Sequence, residues 1–162
     1  MCYFSSTSEN RFNSKKMKKA GLVVLLILLA CTGFAQNADA IAGIWWNDEK
    51  TTKIKVEKKD GKYIGTIVYM IPEKYVNGKS PVDDKNPDPA LQKRPVVGLQ
   101  ILSGFVYNAS KKEWAGGRIY DPKSGKTYDC FARMDGDVLK LKGFVAGMRW
   151  LGRESEWYKT TL

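Results

Sequence analysis

Residues 116–134 constrain the fold of this chain more than any other stretch. Asp121-Pro122 opens a turn there and Ser124-Gly125 closes it. Proline presets its own φ, and glycine takes the left-handed conformation without steric cost. Beyond the turn the side chains alternate. Tyr128, Cys130, Ala132 and Met134 share one face; Thr127, Asp129, Phe131 and Arg133 share the other. A period of two belongs to a strand whose faces meet different surroundings. The stretch therefore reads as a β-hairpin with residues 113–120 as its first arm. Spacing alone leaves open which face turns inward.

The remainder repeats this grammar. Gly43-Ile44-Trp45-Trp46-Asn47 begins the ordered part, and residues 47–49 turn the chain. Residues 53–57 alternate strictly, with Ile54 and Val56 facing in. Asp60-Gly61 is a hairpin signal, and Asp135-Gly136 repeats it. Residues 63–71 form a longer strand in which Gly65 marks a bulge or bend. Residues 96–107, 138–142 and 149–159 supply further strands, with residues 143–147 as a loop. Between them, residues 72–95 hold five of the six prolines together with Asp83, Asp84, Asn86 and Asp88. Asp88-Pro89 reads as a cap and first residue of a single helical turn, which Pro95 ends. About eight strands joined by tight turns predict an all-β domain. Closure into one small antiparallel barrel removes both sheet edges, with a β-sandwich as the alternative.

The first 35 residues stand apart. Lys15, Lys16, Lys18 and Lys19 precede an apolar run over residues 20–31, and Gly33-Phe34-Ala35 offers a small-residue exit. Together these read as a secretory signal peptide cleaved after Ala35. Ala38-Asp39-Ala40 is a second possible exit. The run is about a dozen residues long, and a membrane span needs roughly 20. Met17-Lys18-Lys19 would itself make a well-proportioned start, so residues 1–16 suit a start site assigned too early. Leu28-Leu29-Ala30-Cys31 offers lipidation at Cys31 as the alternative processing route. The expected organisation is a signal over 1–35, a flexible lead-in over 36–42 and one barrel domain over 43–162. The expected location is the periplasm or cell envelope, with no transmembrane span after processing.

Composition narrows the chemistry. The net charge of +10 falls on cleavage, because five basic residues leave with one acid. The remaining lysines are scattered along the strands, which suits a solvated surface that also discourages edge pairing. An anionic envelope surface is the other partner they would suit. No motif suggests nucleic acid. Cys130 is the single cysteine of the mature chain, so no internal disulfide forms there. The chain has no histidine. That excludes Ser-His-Asp and Cys-His catalysis and histidine metal ligation. No glycine-rich phosphate loop is present, and no cofactor is expected.

Several blocks together resemble one family of exported bacterial proteins, the domain-of-unknown-function family 2147. They are Gly43-Ile44-Trp45; Gly65-Thr66-Ile67-Val68; Asp84-Lys85-Asn86-Pro87-Asp88; Arg94-Pro95 with Gly98; residues 114–122; residues 124–128; and Leu151-Gly152-Arg153 with Trp157. One departure is Trp157-Tyr158-Lys159, where that family tends to place tryptophan and a nearby arginine. The resemblance implies no activity. A second resemblance is to lipocalin-like barrels, which begin with Gly-x-Trp and cover that tryptophan with an arginine from the last strand. It implies that Trp45 and Arg153 close the barrel floor, the guanidinium stacking on the indole.

Three functions compete. Tyr63, Tyr69, Trp114, Tyr120, Tyr128 and Phe131 are the candidates for lining a cavity that takes a small, largely apolar ligand. A filled barrel would instead be a structural or interaction module of the envelope. A carboxylate-based hydrolase is the remote third, and the chain is read as non-catalytic. Asp83, Asp84 and Asp88 form a weak cation-loop candidate, but they lack the calcium-loop glycine and distal glutamate. Turn and capping roles explain them better.

Overall fold

The computed structural model describes residues 38–162. The predicted signal segment, the alternative start and the Cys31 lipidation box lie outside the described residues. Eight strands close into one antiparallel barrel in simple up-and-down order. They are β1 (Gly43–Trp46), β2 (Thr52–Lys59), β3 (Lys62–Met70), β4 (Gln100–Asn108), β5 (Glu113–Asp121), β6 (Lys126–Asp135), β7 (Val138–Phe144) and β8 (Gly152–Thr160). The barrel, not the sandwich, is the fold. Closure is made where β1 pairs antiparallel with β8, with Trp45 opposite Lys159.

Local chemistry explains the turns. Asp60 and Gly61 both take positive φ, at 50° and 76°, as a hairpin turn of this kind requires. At the second Asp-Gly pair only Gly136 does so, at 57°, and Asp135 still belongs to β6. In the β5–β6 turn, Asp121 accepts from the Lys123 amide at 3.0 Å and from the Ser124 hydroxyl at 2.7 Å. β5 carries a register shift between Trp114 and Gly117. This bulge lets Trp114, Gly117 and Ile119 all face inward. Gly117 has no tolerance for a side chain, since a Cβ there would run into the Phe105 ring.

The two ends of the barrel differ. One end carries the β2–β3, β4–β5 and β6–β7 turns and is filled. Trp45, Val56, Tyr63, Phe105, Trp114, Leu139 and Trp157 are buried there, each contributing about 1.5–3 kcal/mol by leaving water. A short 3₁₀ turn, Asp39–Ile41, seals this floor. Ile41 is fully buried, and its carbonyl accepts from the Trp45 indole at 2.9 Å. The Trp114 indole donates to the Ala38 carbonyl at 2.9 Å. The Tyr63 hydroxyl donates to Asp39. Residues 38–42 were expected as a flexible lead-in; instead they are structural, because two buried indoles need their carbonyls.

The other end carries the β1–β2, β5–β6 and β7–β8 connections and the long loop of residues 71–99. Asp83 organises that loop. It is fully buried and accepts from Arg94 at 2.8 and 3.0 Å, from Asn86 at 2.8 Å and from the Tyr120 hydroxyl at 2.6 Å. Asp88 caps the 3₁₀ turn Pro89–Leu91, accepting from the Ala90 amide at 3.0 Å. Two predicted strands are shorter than expected. Residues 96–99 belong to the long loop and residues 149–151 to the β7–β8 connection.

Candidate ligand-binding cavity

A cavity of about 440 Å³ opens at the end opposite the filled floor. Its wall is built from inward-facing strand positions: Ile101, Ile119, Tyr128, Leu141 and Gly143, with Leu151 from the β7–β8 connection. Residues 47–49 and 121–123 form part of the rim. A salt bridge ties these two turns together, Lys123 Nζ meeting Glu49 at 2.9 and 3.1 Å. Lys123 beside it holds the Glu49 carboxyl below its ordinary range. Asp48 accepts from the Glu49 amide at 3.0 Å. Arg153 and Ser155 add polar groups to the β8 wall. Ser155 accepts from the Trp157 indole at 3.1 Å, where the cavity meets the packed floor.

The predicted lining residues divide. Tyr128 lines the cavity, because the Tyr128–Cys130–Ala132 face of β6 is the inward one. Tyr120 borders the mouth, but its hydroxyl is committed to Asp83. Tyr63 and Trp114 are buried in the packed floor and do not line the cup. Tyr69 lies outside the barrel, edge-on to Trp46 at 5.8 Å with Lys53 over its ring. Phe131 is also on the outer wall, its ring 3.7 Å from the Arg149 guanidinium. Tyr63, Trp114, Tyr69 and Phe131 thus do not line the cup, and Tyr69 instead borders a separate surface hollow with Met70, Pro72, Tyr75 and Gly78. The first two are excluded by depth and Phe131 by strand parity, whereas Tyr69 shares the parity of Tyr63 and Ile67 and is turned outward by the register shift opposite Lys53 and Ile54.

The barrel-closing pair needs a correction as well. Trp45 is at the floor, but Arg153 is at the opposite end, on the cavity wall. β8 starts at the open end and runs down, so its last residues meet Trp45. Lys159 takes that place, with Nζ 5.6 Å from the Trp45 ring. This is the position where the chain departs from the expected arginine.

The cation-loop acids are used otherwise. Burial pushes the Asp83 carboxyl up, but hydrogen bonds from Tyr120, Asn86 and Arg94 outweigh it and hold the group low. Asp84 is exposed beside Lys85, and Asp88 is a cap. Among the described residues no cluster of three acids, cysteines or histidines could hold a metal ion. Cys130 faces inward and is buried, and burial pushes its thiol up to about 12. It is an inert core group.

One arrangement escapes sequence reasoning altogether. The buried Glu113 on the outer wall receives Arg133 at 2.8 and 3.1 Å and Arg149 at 3.0 Å, all on Oε2. Arg149 belongs to the β7–β8 connection, so this cluster straps the cavity's rim loop down onto the barrel wall. Nothing in local spacing announces it, because Glu113 and Arg149 are 36 residues apart.

A closed eight-stranded antiparallel barrel with one packed end and one open cup is of the lipocalin-like class. The chain belongs to the domain-of-unknown-function family 2147, described as uncharacterized protein conserved in bacteria, whose pattern matches residues 43–159. Among solved structures it is similar to protein HP1028 of Helicobacter pylori, described as belonging to the lipocalin family. The identity is 21%, the TM-score 0.65, and the match covers 75% of this chain and 83% of that one. At that identity the likeness shows the fold alone. No curated protein matches the chain.

Proposed function

We propose that this protein is a non-catalytic carrier or sensor that binds one small, largely apolar molecule in its open cup, in the periplasm or cell envelope. The observation that carries the reading is the cavity itself. Its volume of about 440 Å³ is in the range of small-molecule pockets, and its strand-borne wall is mainly apolar. Two of the three rim carboxylates, Asp48, Glu49 and Asp121, are tied up, which supports binding over catalysis. Glu49 is tied to Lys123, and Asp121 is occupied by its own turn. Neither is placed as a free acid or base. The export signal read from residues 15–35 supports the location. No helix among the described residues is long and apolar enough to cross a membrane.

The test uses a neutral, environment-sensitive fluorophore, N-phenyl-1-naphthylamine, and a variant that blocks the cup. Gly143 lies on the cavity wall, and a Cβ there would stand at ordinary contact distance from Ile119 and Tyr128. Gly143→Leu should therefore fill the space without breaking the strand. Saturable one-to-one binding to the wild type, weakened about tenfold or more in Gly143→Leu, is the expected result. No binding, or equal binding by both proteins, would overturn the proposal.

A further inference from the structure

We propose that the cup selects an amphipathic monoanion, a carboxylic acid with an apolar tail, and that Arg153 receives the carboxylate. This rests on the cavity-binding reading above and names its ligand class. The key observation is an imbalance among the arginines. Arg94, Arg118, Arg133 and Arg149 each pair with a carboxylate of this chain. The Arg153 side chain has no ion pair and no hydrogen bond among the described residues, yet it stands on the cavity wall. Its neighbour across β7 is Gly143, which has no side chain to crowd or satisfy it.

The other charged groups of the cavity are already engaged. Lys123 is held by Glu49, and Asp48 accepts from the Glu49 amide. Asp121 accepts from Lys123 and Ser124. One free guanidinium remains above an apolar wall of Ile119, Tyr128 and Leu141. Its planar fork matches a carboxylate with two parallel hydrogen bonds. A doubly charged phosphate fits less well, because Asp48, Glu49 and Asp121 stand on the same rim. The mouth is open to water, so the anion's advantage over a neutral head is moderate and sensitive to salt.

The experiment compares three probes with one tail and different heads: decanoate, decanol and decylamine, each displacing N-phenyl-1-naphthylamine. Decanoate should displace it at about tenfold lower concentration than decanol, with decylamine weakest. Raising the salt should shrink that ratio. Arg153→Gln should bring the decanoate-to-decanol ratio close to one, and Arg153→Lys should keep part of it. The Arg153 side chain is exposed and bonds to no other described side chain, so Arg153→Gln should melt at the wild-type temperature. Equal displacement by decanoate and decanol would overturn the headgroup assignment. So would a preference that survives Arg153→Gln, or tightest binding of decylamine. Each of these leaves the cavity reading standing. Failure of the fluorophore to bind would overturn both.

Discussion

Asp83 and Glu113 are the buried carboxylates of the described chain, and each is kept ionised by the donors packed around it. For Glu113, burial pushes the pKa up, but Arg149 and Arg133 outweigh it and hold the carboxyl below its ordinary 4.5. For Asp83, Tyr120, Asn86 and Arg94 do the same against an ordinary 3.8. A group whose pKa is lower folded than unfolded lends stability above its unfolded value. That stability is lost as pH falls through the folded one. Urea unfolding should therefore be nearly level from neutral pH down to about pH 5 and weaken below about pH 4.5. The Asp83→Asn, Glu113→Gln double variant should show a shallower acid slope; an unaltered slope would contradict these assignments. The roles of single residues were legible where they are local. Asp121 as turn opener and Asp88 as cap follow from neighbours two or three positions away. Glu113 was not legible, because its partners come from β6 and from a loop that folds back over the wall.

Among the elements, the β5–β6 hairpin carries both the clearest sequence pattern and most of the site's geometry. The bulge before Gly117 sets its parity and so brings Ile119 and Tyr128 into the cup. That shift is invisible to a strict period of two. Gly125 fits because a Cβ there would strike the Lys85 carbonyl of the long loop. The lead-in before β1 is the other element whose weight was hidden. Its contribution is made by backbone carbonyls, which any sequence supplies, so residues 38–42 carry no pattern. Under the proposed export, signal cleavage should respect them. We expect a mature protein beginning upstream of Ala38, consistent with cleavage after Ala35, when its N-terminus is sequenced. A chain starting at Gly43 should lose about 4 kcal/mol, from exposing Ile41's site and orphaning two indole donors. A mature start at Ile41, or a truncated chain as stable as the full one, would contradict this.

For the whole molecule, closure follows from the strand count, which the turns announce. An even-stranded up-and-down barrel also fixes the direction of its last strand. β8 must run opposite to β1, so the residue over Trp45 comes from the end of β8. Counting strands would have placed Lys159 at the floor and Arg153 at the mouth. Whether the interior is packed or hollow was not legible, because inward-facing apolar residues serve either purpose. The answer depends on where the bulky ones fall along the barrel axis. Three of the five tryptophans, Trp45, Trp114 and Trp157, fall at the floor, while the upper wall uses Ile, Leu and Gly. The barrel is thus solid below and open above. The central claim, that the upper half receives the ligand, is tested most directly by mapping amide chemical shifts while titrating decanol, whose uncharged head tests the cup independently of Arg153. The account predicts saturable shifts grouped at Ile119, Tyr128, Leu141 and Gly143. Shifts confined to the outer wall around Tyr69 and Phe131, or none at all, would contradict it.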